Sequence, residues 1–117
     1  MAVAIQQESD DTYVIRINGL LKKLELESVQ LTALDGIEKA GTIKLLVILD
    51  DFQGWQKGDD WGDMSFYSEH GDQIDKIAIV GDPKWEDEML MFAGSGLRRA
   101  PVKYFSESDL AAAQAWL

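Results

Sequence analysis

Asp50, Asp51, Asp59, Asp60 and Asp63 place five carboxylates in one short stretch of this 117-residue chain. Oxygen donors of that kind suit Mg²⁺ or Ca²⁺, yet an EF-hand loop needs Gly at its sixth position and Glu at its twelfth. The spacing supplies neither, so no metal and no other cofactor is expected. Asp50 with Lys103 on a later strand has the outline of an aspartyl phosphotransfer receiver, but such a site also wants an acidic pair after the first strand. Ala2 to Gln7 lacks one. His70 is the single histidine; it has no cysteine and no serine elbow beside it, and in the last turn of a helix it serves better as a dipole partner than as a base. Gly94-Ser95-Gly96 follows a helix instead of joining strand to helix, so it is no phosphate loop. No catalytic constellation emerges, and the chain reads as a non-enzyme.

Binding chemistry is easier to find. Phe52, Trp55 and Trp61 bracket the segment after the third strand, beside Gly54 and Gly58. They either fold over the sheet edge or form the mouth of an apolar pocket. Trp85 belongs with them, because both segments leave the carboxyl ends of strands. Further on, Met89-Leu90-Met91-Phe92-Ala93 is apolar through a turn and a half. Packing under loops, a homodimer contact, and a wall swinging on the Gly94-Ser95-Gly96 hinge are the three uses open to it. The expected ligand-binding set is therefore Phe52, Trp55, Trp61, Trp85, Met89, Leu90 and Phe92. Met91, Leu97, Arg98 and Arg99 form the expected membrane or partner contact, the two arginines serving either the helix dipole or anionic headgroups.

These residues need a scaffold, and the hydrophobic pattern describes one. Val3 and Ile5, then Tyr13, Ile15 and Ile17, alternate as an antiparallel hairpin around Gln7 to Asp11, with Gly19 closing the second strand. Leu24, Leu31, Leu34 and Ile37 are spaced as the inner face of a helix that stops at Gly41. Ile43 to Leu49 reads as a strand covered on both faces, with Asp50 to Trp61 as the loop behind it. A helix over Trp61 to His70 and a strand at Ile77 to Val80 follow. Asp82 and Pro83 then open a helix that Glu86, Asp87 and Glu88 favour at its positive end. Val102 to Phe105 is the last strand, and Ser106 with Asp109 resembles a capping box before a terminal helix. The order β-β-α-β-α-β-α-β-α predicts one α/β domain over residues 1–117: a single mixed sheet with an N-terminal antiparallel hairpin, then parallel β/α units.

Composition narrows the partners. A formal charge of −10 and a pI near 4.3 argue against nucleic acid, whose phosphates call for Lys and Arg. The absence of cysteine removes thiol chemistry and fits a cytoplasmic location. No apolar run exceeds five residues, against the roughly 20 of a membrane span. The N-terminus lacks the basic and apolar regions of a secretory signal. Any membrane association would be peripheral, at the inner face.

Asp51-Phe52-Gln53-Gly54-Trp55, the run from Ile77 to Glu86, Val102-Lys103-Tyr104-Phe105 and the Trp-Leu terminus together resemble the bacterial SpoIIAA-like family, within the anti-sigma-factor-antagonist (STAS) fold. The resemblance implies a STAS-like sheet, also likened to lipid-carrying CRAL-TRIO domains, and binding of small nonpolar or amphipathic molecules with membrane association. It also implies a regulatory protein-interaction module as the alternative. Phospho-regulated members carry a Ser or Thr just after the third strand. Asp50 to Asp60 contains neither, although Asp59 or Asp60 would hold negative charge there permanently.

Overall fold

The computed structural model describes residues 3–59, 61, 70–94 and 100–117. Five strands form one sheet in the order β1 (Val3–Gln7), β2 (Thr12–Leu21), β3 (Ile43–Trp55), β4 (Ile74–Gly81) and β5 (Val102–Ser106). Strands β1 and β2 are antiparallel, with Val3 opposite Ile17 and Ile5 opposite Ile15; all later pairs are parallel. The single mixed α/β sheet expected from the alternation is thus present. The helices among the described residues are α1 (Lys23–Ala40), α2 (Glu86–Phe92) and α3 (Leu110–Trp116).

Period-two alternation divides the core between the faces of the sheet. Val3, Ile15, Ile17, Leu45, Leu49, Ile77 and Ile79 face one side, where Val29, Ala33 and Ile37 of α1 and Met89 of α2 join them. Leu46, Ile48, Ala78, Val80 and Phe105 face the other and meet Ala113 of α3, with Leu110 and Trp116 beside it. Central strand β3 is covered on both sides, which accounts for its unbroken apolar run.

The structure departs from the sequence expectations in four places. Gly19 does not close β2, and Asp50 to Trp55 is not a loop: both strands run on, paired to Leu21 and Trp55. Asn18 pairs with Asp50, Gly19 with Phe52 and Leu20 with Gly54, so β3 carries two extra residues, Asp51 and Gln53. Such bulges need unusual backbone, and Asp51 (φ 51°) and Gly54 (φ 101°) provide it. The polar residues are thereby turned to solvent while Phe52 is turned inward.

Second, α1 presents Val29, Ala33, Gly36 and Ile37 inward, leaving Leu24 and Leu31 80% and 70% exposed. Gly36 sets that choice, since the ring of Tyr13 occupies the space where a Cβ would lie. Third, Asp82 caps a single 3₁₀ turn, Pro83–Trp85, accepting from Lys84 N–H at 2.9 Å, and α2 begins only at Glu86. Fourth, Ser106 donates to the Asp109 carboxylate at 3.0 Å and caps no backbone group. The helix expected over Trp61 to His70 lies largely outside the described residues.

Candidate ligand-binding site

Between the α1 side of the sheet and the α1 and α2 helices lies a cavity of about 590 Å³. Its floor is the sheet itself: Val3, Ile15, Ile17 and Leu21 from the hairpin, Leu45 and Val47 from β3, Ile74, Ile77 and Ile79 from β4. Leu26, Val29 and Ala33 of α1 form one wall; Met89, Met91, Phe92 and Ala93 form the other. Trp55 and Trp61 close the end towards the carboxyl ends of the strands. Apart from the two indole N–H groups, the polar side chains among these described residues are Lys23, Gln30 and Glu88. A space of this size with such walls is of the ordinary dimensions for a small-molecule site.

The aromatic end is a connected cluster. Phe52 contacts Trp55 and Trp85 edge-on, with centroids 5.1 and 4.9 Å apart. Trp55 reaches Phe92 at 5.4 Å, and Phe92 reaches Trp61 at 5.9 Å. Trp85 lies over Gly54, its Cη2 only 3.4 Å from where a Cβ would stand. Trp61 is held by its Nε1–H, which donates to Gln56 O at 2.8 Å, and lies under the ammonium of Lys23, 5.8 Å from the ring. Trp55 Nε1 is enclosed and has no acceptor among the described residues, an orphan donor of the kind that costs roughly 1–3 kcal/mol.

The segment between β3 and Trp61 is fastened to α1. Lys22, at the helix N-cap, offers no side-chain acceptor, and Asp59 supplies one from a distance, its Oδ2 accepting Lys23 N–H at 2.9 Å. Gln56 Nε2 donates to the same carboxylate at 3.4 Å, and Gln56 N–H to Leu21 O at 2.8 Å. Aspartates that looked like metal ligands are spread over other duties. Asp59 caps a helix, while Asp50 and Asp51 face solvent and Asp51 accepts from Gln53 Nε2 at 3.1 Å. Asp60 and Asp63 lie outside the described residues. Among the described residues, no group of three or more acids or histidines is placed to hold a metal ion. His70 Nδ1 lies 2.9 Å from Gln73 Oε1.

Of the residues expected at a ligand, Trp55, Trp61, Met89 and Phe92 meet on the cavity, joined by Met91, which had been expected on an outer contact. Phe52 and Trp85 stand behind Trp55 and line a smaller polar recess of about 250 Å³ with Asp51, Asp82, Lys84 and Glu107. Leu90 is half-buried and borders neither. Met91 is 80% exposed, whereas Leu97, Arg98 and Arg99 lie outside the described residues. The sheet floor and the α1 wall were not anticipated. Their alternating apolar residues look the same in sequence whether they meet a neighbour or a void.

Tyr104 of β5 donates to Asp82 O at 2.6 Å. Burial pushes its phenol up to about 12, with the carboxylates of Asp82, Glu86 and Glu107 adding to the shift. The group remains a neutral donor and locks β5 to the turn that starts α2.

Comparisons with known proteins agree with this architecture. The SpoIIAA-like family model matches residues 12–117. A crystal structure of an uncharacterized protein from Shewanella loihica PV-4 with a SpoIIAA-like fold superimposes with a TM-score of 0.73 at 21% identity, covering 99% of this chain and 92% of that one. None of the curated proteins matches the chain. No helix among the described residues is long and apolar enough to cross a membrane.

Proposed function

This chain belongs to the SpoIIAA-like family, and on that premise we propose that it is a non-enzymatic binding module whose cavity admits a small nonpolar or amphipathic molecule. The observation that carries the reading is the 590 Å³ space whose lining, among the described residues, is apolar apart from Lys23, Gln30 and Glu88. Water gains little there, since it needs several polar partners to be held, and an apolar occupant removes greasy surface from solvent. Met89 and Met91 give one wall adaptable side chains, suited to guests of differing shape. Trp55 and Trp61 sit at the aromatic end and report on occupancy. Titration with decanol, read by tryptophan fluorescence and by native mass spectrometry, is expected to give a saturable spectral change and a one-to-one complex. A flat response and no retained ligand defeat the reading.

A second reading draws on a different observation. Leu24, Leu31 and Met91 are large apolar side chains exposed to 70% or more. They support a module that docks another protein, a second copy of itself or the cytoplasmic face of a membrane. Light scattering separates the two readings. A stable monomer whose solubility and vesicle binding are unchanged by Leu31→Lys, a position off the cavity, removes the interaction reading and leaves the cavity.

A further inference from the structure

We infer that the cavity selects its occupant by head group, accepting neutral amphiphiles and rejecting carboxylates and phosphates, and that Glu88 is the residue that enforces this. The inference rests on the cavity being a binding site and adds the chemistry at its rim.

An amphiphile in this space has only one sensible orientation. The enclosed Trp55 Nε1 has no exposed surface to offer an occupant, and the described residues include no residue classed as buried polar or charged, so the tail belongs inside and the head at the edge. Among the described residues, three polar side chains line the space: Lys23 and Gln30 from α1, and Glu88 from α2. Lys23 carries a positive charge and holds its ammonium over the Trp61 ring, at the start of α1 and not on α2. Gln30 is uncharged and offers an amide donor and acceptor, the right partner for a hydroxyl or carbonyl. Glu88 is exposed and brings a carboxylate to the opening, with Glu86 and Asp87 in the same helical turn. The whole chain carries a charge of −10 behind them. On the α2 side of the opening an anionic head would therefore sit beside a like charge, within a net field of the same sign, at the rim of an apolar cavity. There the repulsion is less screened than in water.

The test uses the full chain and two probes with the same tail, decanol and decanoate, titrated near neutral pH by calorimetry with tryptophan fluorescence alongside. Decanol should bind about tenfold more tightly than decanoate, the order expected for one like-charge contact near a protein surface, and the gap should narrow in high salt. Glu88→Gln should tighten decanoate and leave decanol unmoved, and Glu88→Lys should reverse the preference. Because the readout is a ratio between two ligands on one folded protein, general damage by the substitution cannot imitate it. Decanoate binding as tightly as decanol, or a ratio unmoved by Glu88→Lys, overturns the inference while leaving the cavity as a site. Silence from both probes overturns the cavity reading and this inference with it.

Discussion

Asp59 accepts a hydrogen bond from the backbone N–H of Lys23 at 2.9 Å, so a residue beyond the third strand caps a helix that began 36 positions earlier. The contact joins the aromatic end of the cavity to its α1 wall. Removing the acceptor with Asp59→Ala should cost about 1 kcal/mol, the usual worth of a helix cap, whereas Asp59→Asn should retain most of it. Thermal unfolding followed by circular dichroism checks both, with the alanine variant melting several degrees lower.

Gly81 lets β3, β4 and β5 approach closely. A Cβ there would stand 2.8 Å from both Leu49 Cδ1 and Tyr104 Oη. Gly81→Ala should destabilise by about 1–3 kcal/mol, the ordinary penalty for overfilling a core, visible as a lower urea midpoint with an unchanged slope. Ala substituted at solvent-facing Gly58 meets no neighbouring atom, but its φ of 90° makes a smaller backbone penalty the expected effect.

Tyr104 gives a pH prediction with a definite sign. Its neutral form is favoured in the folded protein, where the phenol is raised from 10.0 to about 12, chiefly by burial. A raised group of this kind contributes fully below its unfolded value, and the contribution is lost as pH rises through the folded one. Stability should therefore fall between about pH 10 and 12 beyond what the other tyrosines explain. Urea unfolding across that window should show a shallower fall in Tyr104→Phe.

An apolar cavity also predicts how affinity grows with tail length. Each methylene moved from water into the cavity is worth about 0.8 kcal/mol, close to fourfold in Kd, so alkanols from hexanol to decanol should rise in even steps until the space is full. Calorimetry on the series checks this. Equal affinities along it would point to binding by the head alone.

Much of this fold was readable in sequence because its strands and helices obey simple periods. Ile15 and Ile17 alternate, Ile43 to Leu49 is continuously apolar, and Gly41 stops α1 where expected. Reading failed where polar residues were absorbed into regular structure. Asp50-Asp51 and Gln53-Gly54 look like a loop, and only the two bulges that turn them outward let β3 continue to Trp55. Leu24 and Leu31 fit a helical inner face as well as Val29 and Ala33 do, and the Tyr13 ring against Gly36 decides between those faces. At the site, aromatics and methionines advertised themselves by type. The strand floor did not, because a side chain facing a void has the same pattern as one facing a neighbour. Glu88 was hidden by reading as an ordinary acid at a helix start.

The most direct measurement is an amide-proton NMR titration of the ¹⁵N-labelled chain with decanol, which reports both whether a ligand binds and where. Saturable shifts are expected on both sides of the cavity: Leu26 to Ala33 of α1, Leu45 to Val47 and Ile77 to Ile79 of the sheet, and Glu88 to Ala93 of α2. Shifts confined to the outer face around Leu24 and Leu31, or none at all, would contradict binding in the cavity.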